Sequence, residues 1–165
     1  MEDHVVIEII VHGQPAPQGS KKFVGLTKAG RGLLIESSKK VKPWRQDVVA
    51  SAVLAMEGRA MLDGPLFATM TFTLPKPASA PKTRRTWACR KPDLSKLVRS
   101  TEDALSDAGV WADDARVVSM VVHKVFPGEG DESLASPGAI IRVYRAGEMR
   151  CVLVREAADM YGVAP

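Results

Sequence analysis

From His4 to His12 the chain reads HVVIEIIVH, a run rich in β-branched residues that predicts a strand packed into a sheet. It gives way to Gly-Gln-Pro-Ala-Pro-Gln-Gly-Ser, a Pro/Gly loop that delivers Lys21 and Lys22 at its far end, where solvated lysines are the plain reading. The short apolar run Leu33-Leu34-Ile35 predicts a second strand. After Pro43, Val48, Ala52 and Ala55 form one stripe with Val49, Val53 and Met56 beside it, so helical spacing predicts a core-facing helix from Trp44 to Met56. Leu66 to Leu74 then alternates Leu66, Ala68, Met70, Phe72 and Leu74 against Phe67, Thr69, Thr71 and Thr73. That is the period-two pattern of a strand with one face buried, and Pro75 and Pro77 end it.

Helical period returns from Asp93 to Ala108. Leu94, Leu97, Val98, Thr101, Leu105 and Ala108 make one face, and Lys96, Ser100, Asp103 and Asp107 fall on the other. Gly109 is placed to stop this helix. Ala115 to Phe126 and Ala139 to Tyr144 read as two further strands joined by the turn PGEGDESLASPG. The tail from Glu148 onward fits either a strand or a short helix, and no internal repeat is present.

Composition changes this picture little, and charge changes it more. With 165 residues, 45% of them apolar and 25% charged, the chain suits one packed domain rather than a disordered segment. The formal net charge of +4 is modest, but the cations are clustered. Between Lys76 and Lys91 stand Lys76, Lys82, Arg84, Arg85, Arg90 and Lys91, with no acid among them and with Pro77 and Pro81 interrupting. Such a loop is either solvated surface or a phosphate-binding arm that releases condensed counterions. Cys89 and Cys151 lack metal-ligand or disulfide spacing and fit reduced thiols in a cytosol. No apolar run approaches the roughly 18 residues of a spanning helix, and the start MEDHVVIEII has acids where a signal peptide carries cations, so a cytoplasmic protein is expected.

Three carboxylates bracket the Asp93–Ala108 helix: Asp93 at its start, and Asp113 and Asp114 at the mouth of the next strand. A helix folded back on that strand is expected to bring them together. Like charges about 5 Å apart repel by roughly 3 kcal/mol at an effective dielectric of about 20, so such a cluster needs a cation or must keep protons. Oxygen-only ligands favour Mg²⁺. In isolation Asp93 reads as an N-cap and Asp113-Asp114 as a solvated turn. An acidic pocket beside a basic loop, however, is the pairing that phosphodiester hydrolysis requires. Trp111 reads as core packed under the Asp pair. His4, His12 and His123 read as strand positions, and no nucleotide-binding glycine loop or Ser/His or Cys/His pattern is present.

The run KPDLSKLVRSTEDALSDAGVWADDARVV, from Lys91 to Val118, resembles the signature of RusA-type Holliday junction resolvases, commonly encoded by phages and prophages. In that signature a basic-Asp-Leu-Asp segment leads to Asp-Ala-Leu, then Val-Trp and a paired Asp-Asp. GQPAPQGSKK is similar to the family's glycine-proline-lysine/arginine loop. The resemblance implies an α+β fold in a small single domain over residues 1–146, with a mixed β-sheet packed against two main helices. Residues 147–165 form a tail outside it. It also implies a homodimer that binds Mg²⁺ through acidic residues and cuts four-way DNA junctions in recombination or repair, with neither a membrane nor a nucleotide cofactor involved.

By position, Asp93, Asp113 and Asp114 inherit the catalytic and metal-binding roles, and Asp103 matches the Asp-Ala-Leu aspartate, as a ligand or as a structural residue. Ser95 stands where the family has a second Asp; it can hold a metal-bound water but brings no charge. Arg99 stands where the family has a lysine, and it can stabilise developing phosphoryl charge but cannot donate a proton near neutral pH. Lys21, Lys22, Lys96 and the six cations from Lys76 to Lys91 are the expected DNA contacts. Two other readings fit the same residues: a nuclease for other branched or flap DNA, and a junction-binding protein whose turnover is weakened by Ser95.

Overall fold

The computed structural model describes residues 5–19, 21–26, 29–30, 32–36, 39–130 and 132–146, with backbone alone for 21–24 and 32–36. Within these, strand β1 is Ile7–His12, and β2 (Lys21–Leu26) and β3 (Gly32–Glu36) pair as an antiparallel two-stranded ribbon. Helix α1 is Val41–Ala55, β4 is Leu66–Thr73 and α2 is Leu94–Asp107; β5 (Val117–Val125) and β6 (Gly138–Arg145) follow. The main sheet has the order β1-β6-β4-β5. Its β1/β6 and β6/β4 pairs are antiparallel, and β4 and β5 are parallel, joined by a crossover that contains α2. The fold is thus α+β with a mixed sheet and two main helices, as expected. The tail from residue 147, Cys151 and His4 lie outside the described residues.

Four expectations need correction. β4 is buried on both faces along its whole length rather than on one, because it lies between β6 and β5 and because chain folds over its second face. On that face Phe67 meets Tyr144 with ring centroids 5.5 Å apart. Thr73 Oγ1 accepts a 2.9 Å bond from the Leu134 N–H in the connection after β5. That same connection does not form a hairpin, since β4 is inserted between the two strands it joins. Lys21 and Lys22 open a strand rather than end a loop; a six-residue run with two lysines and a bulge between Phe23 and Gly25 carries no clean alternation to reveal it. Finally, α1 begins before Pro43 and its buried stripe is Val41, Trp44, Val48 and Ala52, whereas Val53 is about half exposed at 52%. Proline is accommodated there because N–H groups of a first helical turn have no intrahelical partner.

The two helices cross on the sheet and fasten α2. Trp44 and Leu105 are fully buried, each contributing about 1.5–3 kcal/mol by removal from water. The Trp44 indole N–H donates to Thr101 Oγ1 at 3.1 Å inside this contact. At its rim Arg45 bonds Asp103 at 3.3 Å and Asp107 at 2.5 Å. The α2 C-terminus closes as a Schellman motif: Gly109, at φ +73, donates to Ser106 O, and Val110 donates to Leu105 O. Val110 and Leu105 are both buried, supplying the apolar contact that accompanies this cap. This reversal sets Trp111 into the core and the Asp113-Asp114 pair on the surface beyond it. At the opposite edge β6 approaches β1 so closely that a Cβ on Gly138 would sit 2.2 Å from the Val11 carbonyl oxygen.

Candidate active site and nucleic-acid interface

Helix α2 carries most of the site. Ser95, Arg99 and Glu102 succeed one another at i, i+4 and i+7, and so share one face of the helix. Ser95 and Arg99 are exposed and Glu102 is half-buried. At the start of this stripe Asp93 takes the N-cap position, but its side chain makes no capping bond. Its carboxylate turns instead to Lys96 Nζ, 3.2 Å away, in a half-exposed pair. The capping role that Asp93 suggests in isolation is therefore not the one its carboxylate takes. A pair this exposed contributes at most about 1 kcal/mol and is easily exchanged for another partner.

At the other end of the stripe stand Asp113 and Asp114, both exposed on the 3-10 turn Asp114–Arg116 that leads into β5. Asp113 accepts the Ala115 N–H at 2.8 Å, which holds the turn. Asp114 acts on Glu102: burial first, and then the charges of Asp114 and Asp103, push the Glu102 carboxyl up to about 7. Asp103 itself is occupied by Arg45 and so has a structural partner. Trp111 is fully buried with its indole N–H on Ser106 Oγ at 2.8 Å, which makes it core, as its position suggests.

Asp93, Asp113 and Asp114 are expected to converge, and among the described residues they are not grouped as a three-member site. Asp93 and Glu102 are separated by nine residues, roughly 13 Å along a helix at about 1.5 Å per residue, and the charge of Asp114 acts on Glu102. Among the described residues no three His, Cys, Asp or Glu side chains stand together in a group able to hold a metal ion. Asp93, Ser95, Arg99 and Glu102 thus form a stripe along α2, with Asp113 and Asp114 on the turn that follows it. Glu102 is the member that sequence reasoning missed. The available signal was its seven-residue separation from Ser95, which puts a carboxylate on the helix face where the family's second Asp is lacking.

The charge on Glu102 gives a stability prediction for the metal-free protein. The unfolded chain ionises this carboxyl near 4.5, whereas the folded chain keeps its proton to about 7. The stabilisation from this raised pKa is present in full below about 4.5 and is lost as pH rises through about 7. Glu102→Gln should therefore raise stability at pH 8 and leave it nearly unchanged at pH 4.5. The gain, discounted for partial exposure, is on the order of 1 kcal/mol. Thermal melts in EDTA at the two pH values check this, and an equal shift at both would refute the account.

The basic arm between β4 and α2 is irregular but anchored at both ends. Near its start the partly buried Lys76 pairs with Glu129, whose carboxylate also accepts the Thr86 N–H at 3.0 Å. The Lys76 and Thr86 bonds hold the Glu129 carboxyl below the usual carboxylate range. Near its end Lys124 of β5 donates to the carbonyls of Arg90 and Pro92 at 2.8 and 2.9 Å. Lys76 thus positions the arm, while Lys82, Arg84 and Arg85 line a shallow basic depression, and Arg90 and Lys91 reach the entrance to α2. The N-terminal loop docks beside them: Gln18 N–H donates to Lys96 O at 2.8 Å, and the buried Ser100 hydroxyl lies 2.7 Å from Ala16 O. Ser100 is therefore inside, contrary to its expected place on the solvent face. The side chains of Lys21 and Lys22 are not among those described.

This layout, a carboxylate stripe with cations leading up to one end of it, suits the binding and hydrolysis of a polyanion. Among the described residues no helix is long and apolar enough to cross a membrane. The family model described as Endodeoxyribonuclease RusA matches residues 12–133, most of the chain and all of the site just described. A comparison with curated proteins gives no match.

Proposed function

The chain belongs to the RusA endodeoxyribonuclease family, and from that premise we propose that it is a cytoplasmic, Mg²⁺-dependent resolvase that cuts four-way DNA junctions as a homodimer. The observation that carries this reading is the continuity of the anchored arm with the start of α2: cations that can hold phosphates lead directly to Asp93, Ser95 and Arg99. Lys82, Arg84, Arg85, Arg90, Lys91 and Lys96 hold the DNA backbone, with Lys21 and Lys22. Arg99, exposed, stabilises charge on the phosphoryl oxygens. Asp93, Asp113, Asp114 and Glu102 supply the hard oxygen donors that Mg²⁺ prefers, and the ion's contribution would be to activate water and neutralise charge. A twofold dimer matches the approximate twofold symmetry of the junction and places one site at each of two phosphodiesters.

Incubation with a labelled four-way junction and a matched linear duplex, in Mg²⁺ or in EDTA, tests the proposal. Paired symmetric nicks in the junction alone, dependent on Mg²⁺, are expected. One observation favours a second reading, junction binding with little turnover: Ser95 stands where the family's second Asp would bring a charge. Tight junction binding without cuts would establish that reading instead, and equal cutting of duplex would sink both.

A further inference from the structure

Beside the arm lies a cavity of about 380 Å³ that the carboxylate stripe does not use. Its lining includes Gln14 from the N-terminal loop, Leu74 and Phe126 from strand ends, Trp87 from the arm, and Arg90 and Lys91 at the approach to α2. Its volume falls within the range of about 300–1,000 Å³ typical of small-ligand sites. Leu74 and Phe126 are buried, so one part of the lining is apolar and fixed, whereas Arg90 and Lys91 are exposed cations.

Trp87 is the unusual member. It is 70% exposed, although the other two tryptophans, Trp44 and Trp111, are 1% and 0% exposed. The Arg85 guanidinium lies 4.8 Å from the centre of its ring. Arg85 lines the neighbouring basic depression and Trp87 lines this cavity, so the pair stands between the two. An indole held by a cation in a proline-punctuated basic loop is a stacking platform. Every nucleobase has a π-face to lay on it, and the adjacent cations can take the phosphate attached to that base.

We infer that this cavity receives one unpaired nucleotide of the bound DNA, its base stacked on Trp87, its edge within reach of the Gln14 amide and its phosphate between Arg90 and Lys91. A base inside a continuous duplex cannot reach such a cavity without leaving its stack, at a cost of a few kcal/mol, whereas a base at a strand-exchange point or in a single strand has less to lose. The cavity therefore supplies selectivity for interrupted over continuous duplex without reading sequence. The inference rests on the endonuclease reading for its substrate, but not on cleavage.

The test uses the full chain in EDTA and follows tryptophan emission during titration with short oligothymidylate and, separately, with a blunt duplex. Because Trp44 and Trp111 are buried, quenching reports on Trp87. Oligothymidylate is expected to quench emission, and Trp87→Ala to weaken its binding on the order of tenfold or more, with Trp87→Phe recovering most of the loss. Duplex binding should change less than threefold in either variant (roughly what loss of one stacked base cannot explain). Unchanged oligothymidylate affinity in Trp87→Ala, or equal quenching by duplex, overturns the proposal. A chain that cuts junctions without Trp87-dependent quenching loses only the cavity assignment. A chain that shows the quenching but never cuts loses only the nuclease reading.

Discussion

Asp114→Asn is expected to abolish junction cleavage, by roughly a hundredfold or more, while junction binding persists or tightens. The substitution keeps the side chain's shape and removes its charge at an exposed position, so the fold should not suffer. Asp114 is nevertheless the residue whose charge acts on Glu102 and adds negative charge to the site. DNA is repelled by that charge in the absence of a cation, so removing it favours binding as it removes a ligand. Opposite signs for turnover and affinity are the signature of a carboxylate that works on the phosphodiester rather than on the protein. Single-turnover cleavage and a gel-shift measurement in EDTA on the same preparation provide the check. Cleavage within a few-fold of wild type would remove Asp114 from the site.

Gly138→Ala should be the most damaging small change in the sheet. A Cβ at Gly138 would stand 2.2 Å from the Val11 carbonyl oxygen and 2.7 Å from Leu134 Cδ1. The leucine can turn away, but Val11 O belongs to the β1 backbone, and β1 is held by its register with β6 from Ile7↔Val143 to His12↔Gly138. Relief requires that the end of the β1/β6 ladder open. Val11, Ala139 and Ile141 are buried immediately beside this point, so opening would also admit water to the core. A loss of about 3 kcal/mol or more is expected, which for a domain of this size is a fall of roughly 10 °C in Tm. Thermal denaturation followed by circular dichroism checks this; a fall of less than about 2 °C would show that the strands are free to separate locally.

The pattern of apolar positions was enough to place β1, both helices and the last two strands, because each has a long run at one period. It also placed β3 at Leu33–Ile35, but not its ribbon partner β2. The Lys21–Leu26 strand has no alternating face to announce it, and pairing partners are a property of the fold rather than of a window of sequence. Likewise the threonines of β4 look like a solvent face, since sequence does not reveal that they will be buried and that the connection after β5 will reach Thr73. In the site, the residue types were legible and their convergence was not. Asp93 and Asp113 each have a local partner, Lys96 and the Ala115 N–H, which no spacing in the sequence announces. Glu102 is not legible in the sequence because a glutamate next to Asp103 on a helix has the pattern of ordinary surface. Trp87, the arm's one aromatic residue, belongs to no periodic pattern that would mark it as exposed.

The arm's two anchors bear on the kinetics of recognition. A basic segment that hangs free must be ordered when it meets DNA, and the ordering of each residue opposes association by about 1–2 kcal/mol of backbone entropy. Here Glu129 holds the arm near one end and Lys124 near the other, and those constraints exist before any DNA arrives. Encounter is then governed by long-range charge and is fast at low ionic strength, and discrimination between DNA shapes resides in how long each complex survives.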